Sequence, residues 1–476
     1  MTQTLAPAGA TGRENRGRLR GNLSVASIVF IVVAAASPLG VIGGPVPLGI
    51  AAGNGAGFPF SFVIATVVLL LFSVGFTQMT HFVPNAGAFY AYVGTGLGKG
   101  LGLGAAFVAL LAYLALEAGV FGLFGPGLAE LVQSYGGPVL PWWVWAAAGF
   151  IVVSLFGYLN IELSGKLLAV LLIAEVAIVL VLDAVVILSG GGPEGFATGF
   201  VTPAQIVSGA PGMGILFAIL SFVGFEATAV FRDEARDPQR TIPRATYISL
   251  ISIGAFYTIS SWVLISANGE SDIVKKAAQN PGTILQSTTE AYLGAAGGHI
   301  VQLLFVTSLF ACILSFHNIA SRYFFQLGNR GVLPAALGRP HPSFGSPAAA
   351  SLLASLVVGL LVVAAVVLRL DLISQFYTWL GGISSVGIVL LLTLTSVAVL
   401  AFFARQQPGG PRWQRRVAPG LGLVGLLGFL AIILANLPLL VGEESYGPFS
   451  IGVLVLLASG LVAGPVLARR RELFFG

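Results

Sequence analysis

The chain has 476 residues, of which 56% are hydrophobic and only 9% are charged, whereas soluble globular domains use about 25% charged residues. A mean hydropathy of +0.94 over the whole length excludes a water-soluble enzyme and indicates a protein with many membrane spans. The single cysteine excludes an internal disulfide. The net charge of +5 indicates a type of partner only once the positions of the positive residues are known.

Long apolar stretches recur through the chain. A helix needs about 20 predominantly apolar residues to cross the roughly 30 Å hydrocarbon core of a bilayer. Twelve stretches predict spans 1 to 12, in chain order 24–51, 58–79, 101–130, 141–160, 165–189, 212–231, 243–267, 298–326, 347–368, 372–403, 418–440 and 447–468. Because these runs are continuous and do not alternate with period two, they favour an all-α membrane protein and exclude a β-barrel.

The lysines and arginines fall mainly on one side of the predicted spans. With a cytoplasmic N-terminus, 20 of the 23 lie in inner segments and only Lys275, Lys276 and Arg369 lie outside. Cytoplasmic loops of membrane proteins carry this excess. Both termini are therefore predicted to be cytoplasmic, in a multi-pass protein of the cell (plasma or inner) membrane. Since the positive residues are spread over short loops facing one leaflet, they are expected to meet membrane lipid and not nucleic acid.

Spans 1 and 6 carry residues that interrupt helices. In span 1 these are Ser37, Pro38, Gly40, Gly43, Gly44, Pro45 and Pro47. In span 6, Gly224, Phe225 and Glu226 lie in the second half. If spans 1–5 and 6–10 are two halves of a repeat, the interruptions occupy corresponding places, which indicates a substrate site near the bilayer midplane. A packing kink is the alternative for span 1.

Three stretches resemble the amino acid, polyamine and organocation transporter superfamily. They are SFVGFEATAVFRDEARDPQRTIPRA at 221–245, PNAGAFYAY at 84–92 and SRYFFQLGNRGVLP at 321–334. The resemblance implies the LeuT-like fold, a 5+5 inverted repeat with broken spans 1 and 6 and two additional spans, and transport by alternating access. The implied organisation is a cytoplasmic tail at 1–23, a first repeat at 24–189, a second repeat at 212–403, spans 11 and 12 at 418–468, and a cytoplasmic tail at 469–476.

The resemblance also implies a set of substrate-binding residues. The carboxylate of an amino acid suits the positive end of a half-helix, while its ammonium suits freed carbonyl groups, so the broken spans are expected to hold the substrate. The implied contacts are Ser37, Gly40, Val41, Ala112, Tyr113, Glu117, Leu220, Val223, Phe316 and Ser385.

Ionisable side chains inside the spans are candidate proton-coupling groups, because charge near the bilayer centre costs at least about 2.5 to 3.5 kcal/mol and usually marks a pathway. Glu117 is expected to meet a cationic substrate group or a proton, or else to bond another helix. Glu175 lies where proton-coupled members of the family carry a lysine, and Glu226 lies at the break of span 6; each is a coupling group or a structural acid. His317 is a third coupling candidate, or a packing residue. Asp183 is expected to be a solvated or interfacial acid near the outer end of span 5.

Together these features predict a secondary active transporter of amino acids or related amines and polyamines. The sequence has no Gly-x-x-x-x-Gly-Lys-Ser/Thr loop, so ATP-driven transport by this chain is disfavoured. Proton coupling is favoured because residues 311–318 of span 8 offer one hydroxyl and a thiol, a poor set for sodium. A substrate exchanger and a sodium symporter stay open. A channel or a membrane-embedded enzyme is less favoured, no metal or cofactor site is expected, and the oligomeric state is left open.

Overall fold

The computed structural model describes residues 23–80, 82–83, 88–159, 165–226, 228–229, 235–406 and 411–470. Some features of the sequence lie outside this part of the chain, namely Arg13, Arg16, Arg18, Arg20, Arg471 and the segments 84–87, 227 and 230–234 of two signature stretches. All of the predicted site residues lie within it.

Helices form the described spans, and eleven of them are long and apolar enough to cross a membrane. In chain order the spans are Val25–Ala36 with Pro38–Gly43 and Pro45–Gly49, Phe58–Met79, Lys99–Ser134, Trp142–Leu159, Gly165–Leu188, Pro211–Phe222, Pro238–Asn268, Ile284–Asn329, Ala348–Val367, Leu372–Tyr377 with Thr378–Gln406, Trp413–Val417 with Ala418–Ala435, and Pro448–Arg470. Span 6 is the one shorter apolar helix among these, with 12 residues. The predicted all-α fold is confirmed.

The break in span 1 lies at Ser37. This residue has φ 52° and ψ 69°, a left-handed conformation that costs a non-glycine residue about 1–2 kcal/mol. Pro38 follows, and it has no N–H with which to continue the helical hydrogen bonds. Two short helices then run through Pro38–Gly43 and Pro45–Gly49. Span 1 therefore unwinds midway, as the sequence predicts.

The break in span 6 follows Phe222. Val223 leaves the helix with ψ 128°, and Gly224 has φ 113°, a backbone conformation that favours glycine. A Cβ atom on Gly224 would lie 3.5 Å from the Cβ of Ala35. The two breaks therefore face each other across the bundle.

Span 3 forms the centre of the bundle, where it packs against spans 8, 10 and 12. Its most apolar window is 89% buried, against 22% for the windows of spans 4 and 12. The outer spans thus present apolar side chains to lipid, while span 3 has protein on all sides. Any site between the two breaks has span 3 as one of its walls.

Span 8 differs most from its predicted bounds of 298–326. The structure has a helix over Ile284–Asn329, with a kink at Gly294, where φ is 75° and ψ is 177°. The part before the kink is a separate short helix that joins spans 7 and 8. The predicted bounds fall within the part after the kink, because residues 286–290 before it are polar.

Candidate functional site

The two helix breaks enclose a cavity at the centre of the bundle. Its volume is about 30 Å³, enough for about two water molecules. The lining comes from spans 1, 3, 6, 8 and 10, and consists of Ala35, Ala36, Ser37, Gly40, Val41, Pro45, Leu116, Val120, Leu123, Leu220, Val223, Leu309, Cys312, Phe316 and Tyr377. An amino acid is larger than this volume, so the walls must separate before one can enter.

Six of the predicted substrate contacts lie at this cavity, namely Ser37, Gly40, Val41, Leu220, Val223 and Phe316. Ala112, Tyr113, Glu117 and Ser385 are not among its lining residues. Two of these four contact span 6 instead. The Tyr113 hydroxyl donates to Glu226 at 2.5 Å, and the Ser385 hydroxyl donates to the carbonyl oxygen of Leu216 at 3.3 Å.

The sequence analysis missed the apolar wall of the cavity. Leu116, Val120 and Leu123 lie on span 3 with helical spacing, and Leu309 and Cys312 lie on the same face of span 8 as Phe316. Such i, i+4 and i+7 patterns were visible in the sequence. They are shared by every apolar span, so the pattern alone does not distinguish a cavity wall from a lipid-facing stripe.

A main-chain group at the break of span 1 is held in place by a neighbouring span. The Tyr257 hydroxyl of span 7 donates to the carbonyl oxygen of Ala36 at 3.0 Å. Ala36 is the last residue of the helix Val25–Ala36. This hydrogen bond therefore fixes the end of the first half-helix at the break.

Glu175 belongs to a buried chain of hydrogen bonds that ends at this break. The Ser308 hydroxyl of span 8 donates to Glu175 Oε2 at 2.6 Å, and the hydroxyl oxygens of Ser308 and Ser37 lie 2.8 Å apart. All three side chains are at most 4% exposed. A carboxylic acid of span 5 is thus joined to the point where span 1 unwinds.

Ser308 is the hydroxyl of span 8 that reaches the break in span 1, and it lies one turn before the residues 311–318 that the sequence indicates for this role. Its oxygen lies 2.8 Å from that of Ser37 and 2.6 Å from Glu175 Oε2. Span 8 therefore brings one more hydroxyl to this place than residues 311–318 supply.

Glu226 holds the break of span 6 to span 3. It accepts the Tyr113 hydroxyl at 2.5 Å and the backbone N–H of Gly224 at 3.0 Å. The Tyr113 ring stacks on Phe316, with ring centroids 6.0 Å apart. Glu226 is fully buried. The geometry suits a group that fixes the break, and its role in proton coupling stays a prediction.

Glu117 and His317 contact each other and do not line the cavity. His317 Nδ1 lies 2.8 Å from Glu117 Oε1, and His317 Nε2 lies 2.9 Å from the Ser351 hydroxyl of span 9. In this structure Glu117 thus contacts a neighbouring helix. Its role towards substrate or proton stays a prediction.

Asp183 is buried between helices and is not the solvated or interfacial acid that the sequence predicts. Its side chain is 3% exposed and accepts the hydroxyl of Ser260 in span 7 at 2.7 Å. Hydropathy placed it near the outer end of span 5, but a neighbouring helix covers it. Among the described residues, no group of three or more histidine, cysteine, aspartate or glutamate side chains is suited to hold a metal ion.

Comparison with known proteins gives consistent results. Residues 27–450 match the amino acid permease family. The branched-chain amino acid permease BcaP of Lactococcus lactis is 24% identical over 78% of this chain and 81% of its own. The low-affinity putrescine importer PlaP of Escherichia coli is 23% identical over 71% of this chain and 74% of its own. Among solved structures, a manganese transporter of Eremococcus coleocola superposes with a TM-score of 0.61 at 14% identity, covering 97% of this chain and 100% of that one.

Proposed function

The chain belongs to the amino acid permease family, and on that basis we propose that it carries a neutral amino acid with an aliphatic side chain across the membrane, by alternating access and together with a proton. Membership makes it a multi-pass membrane transporter and not an enzyme. The substrate, the coupling ion and the mechanism are the proposal.

The cavity between the two helix breaks carries the proposal on substrate. Main-chain groups freed at the breaks of spans 1 and 6 are expected to bind the carboxylate and ammonium of an amino acid. The side-chain end would meet Leu116, Val120, Leu123 and Leu309, and the lining includes no carboxylate, lysine, arginine or histidine. A diamine such as putrescine would bring a second cation to this apolar wall, which has no anion to pair with it.

The small volume of the cavity supports alternating access. The lining residues of the broken spans are buried, among them Ser37, Val41, Leu220 and Val223. A substrate enters only if the half-helices move relative to spans 3 and 8. The breaks at Ser37 and Gly224 are the points in spans 1 and 6 where the backbone can bend without losing further helical hydrogen bonds.

Proton coupling is proposed on the chain from Glu175 through Ser308 to Ser37. A buried carboxyl group can gain or lose a proton when water reaches it from one side of the membrane. Ionised Glu175 accepts a hydrogen bond from Ser308, and protonation removes the charge that strengthens it. Protonation of Glu175 thus loosens span 1 beside the substrate. A sodium symporter and a proton-independent exchanger are the rival mechanisms.

Counterflow in proteoliposomes tests the proposed transport. Vesicles loaded with unlabelled leucine should accumulate external radiolabelled leucine transiently, and external valine or isoleucine should compete. Putrescine and lysine should not compete. If putrescine drives counterflow and leucine does not, the substrate is a diamine and the proposed aliphatic amino acid is wrong. A conductance that does not saturate would indicate a channel.

A further inference from the structure

A second buried chain of hydrogen bonds lies beside the cavity without lining it. His317 of span 8 contacts Glu117 of span 3 at 2.8 Å through Nδ1, and Ser351 of span 9 at 2.9 Å through Nε2. Each of the three side chains is 1% exposed. The imidazole therefore joins three spans at a place that neither bulk water nor lipid reaches.

Span 4 covers the imidazole because it carries a glycine at the contact. A Cβ atom on Gly157 would lie 2.6 Å from His317 Nε2 and 2.6 Å from Ser351 Oγ. Only a residue without a side chain lets the backbone of span 4 approach so closely. This packing excludes water from the second nitrogen of the ring.

Among the described residues, the cationic partner of Glu117 is His317, at 2.8 Å. The Cys312 thiol also interacts electrostatically with Glu117. Span 9, over 348–367, has no titratable residue, and span 4, over 142–159, has only Tyr158. Spans 3 and 8 carry further titratable residues, namely Lys99, Tyr113, Glu130, Glu290, Tyr292, His299, Arg322 and Tyr323. His317 is thus the group positioned to balance a charge on Glu117.

The proton count of the pair decides its net charge. With one proton shared between the carboxylate and the imidazole the pair is neutral overall. Without a proton the pair is a buried anion, and with two protons it is a buried cation. A low-dielectric interior disfavours both charged states. Glu117 Oε2 has no hydrogen-bond partner among the described residues. It is therefore an oxygen on which a second proton can reside.

We propose that Glu117 and His317 form one proton-binding site, separate from Glu175, whose one-proton state holds spans 3, 8 and 9 together and keeps the adjacent wall of the cavity closed. Leu116 and Phe316, the residues immediately before them in sequence, both line the cavity. Gain or loss of a proton at the pair therefore changes the wall that a substrate meets. The effect on substrate rests on the proposed function, whereas the proton site does not.

Thermal unfolding of the purified full-length protein between pH 4.5 and 9 tests the site without any ligand. The unmodified protein should have its highest Tm at intermediate pH, with a decline on both sides. The two groups act as one unit, so three variants should show the same weakening of this decline of Tm. They are Glu117→Gln, His317→Gln and the double variant. Asp183→Asn, which removes another buried acid bonded to a serine, should keep it. A His317→Gln variant whose Tm depends on pH as in the unmodified protein would overturn the proposal. So would a double variant whose change in this dependence equals the sum of the changes in the two single variants.

Two further measurements complete the test. The first needs no variant and therefore applies even if the variants fail to fold, and the second measures the effect on substrate. Infrared difference spectra of the unmodified protein between the pH limits should show a carboxylic acid band and imidazole bands that titrate together; a carboxylic band without imidazole bands contradicts a shared site. Leucine affinity should fall at both pH limits, and this fall should be smaller in Glu117→Gln. If leucine does not bind at all, the proposed substrate is wrong, while the unfolding profile still decides the proton site.

Discussion

Glu175 and Ser308 lie 2.6 Å apart, Oε2 to Oγ, in the interior of the bundle. Ser308 also contacts Ser37, the residue at which span 1 unwinds. A hydrogen bond to an ionised carboxylate is roughly twice as strong as a neutral one. The charge on Glu175 therefore affects how firmly the break of span 1 is held, because Ser308 joins the carboxyl group of Glu175 to the wall of the cavity.

Cys312 reports on occupancy of the cavity without any engineering. It is the single cysteine of the chain, it lines the cavity, and it is 7% exposed. Leucine should slow its modification by a methanethiosulfonate reagent, because a bound side chain covers the thiol. Putrescine should not slow it, and Cys312→Ser should not be labelled. Labelling at one rate with and without leucine, in protein that leucine stabilises thermally, would place the binding site elsewhere.

Gly40 leaves room for the contact between Ser37 and Ser308. A Cβ atom there would lie 2.2 Å from Ser37 Oγ and 3.2 Å from Leu309 Cδ2. Overpacking of this kind costs about 1–3 kcal/mol. Gly40→Ala should therefore lower Tm and slow leucine uptake, because the added methyl group displaces Ser37 at the wall of the cavity.

Gly428→Ala is the matched control for Gly40→Ala. Gly428 lies in the helix Ala418–Ala435 of span 11, and a Cβ atom on it meets nothing within 4 Å. Alanine favours helix over glycine by about 1 kcal/mol, so uptake should stay unchanged and Tm should stay the same or rise. Equal losses in both variants would show that uptake responds to glycine replacement in general and not to the site.

The apolar wall of span 3 is expected to set the size of the substrate. Val120 is buried and lines the cavity, and phenylalanine at this position would occupy the space of a branched side chain. Val120→Phe should abolish binding of leucine and retain binding of alanine, as measured by thermal shift. Val455→Phe, on the lipid-facing side of span 12 with Val455 60% exposed, should leave both unchanged. Loss of alanine and leucine together, in folded protein, would argue against a side-chain pocket at Val120.

Glu443 stabilises the start of span 12 in the loop after span 11. The Ser450 hydroxyl and the N–H groups of Phe449, Ser450 and Gly447 donate to it, and these hydrogen bonds hold the pKa of its carboxyl below the usual value. The stabilisation is therefore complete above the unfolded-state pKa of about 4.3 and is lost as pH falls through the lower folded-state value.

Glu443→Gln tests that dependence. It should lower Tm at pH 7, and the difference from the unmodified protein should shrink as the pH falls below about 4. Glu444→Gln removes the same charge from the exposed neighbouring side chain and should leave Tm unchanged. A difference for Glu443→Gln that grew on acidification would contradict the hydrogen-bonded cap.

The breaks and the spans could be predicted from sequence because their causes are local. Pro38 and Gly224 interrupt helices by their own backbone chemistry, and long apolar runs cross membranes whatever their neighbours are. The contact of Glu117 with His317 joins residues 200 positions apart, and no local pattern encodes it.

The direction in which each side chain points from its helix could not be predicted from the sequence. Successive residues on a helix point about 100° apart, so adjacent positions face different neighbours. Leu116 lines the cavity while Glu117 contacts span 8. The sequence alone does not decide which residue of this turn faces the cavity. Ser308 was missed for a different reason, since it lies on the same face as the predicted residues but one turn earlier along span 8.

Leucine uptake into sodium-free proteoliposomes with an imposed inward proton gradient tests the central claim most directly. The unmodified protein should accumulate leucine above equilibrium when the outside is acidic, and collapse of the gradient with a protonophore should abolish accumulation. Glu175→Gln should retain counterflow and lose the response to the gradient, whereas Asp183→Asn should keep both. Accumulation that required sodium, or that Glu175→Gln retained in full, would contradict proton coupling through Glu175.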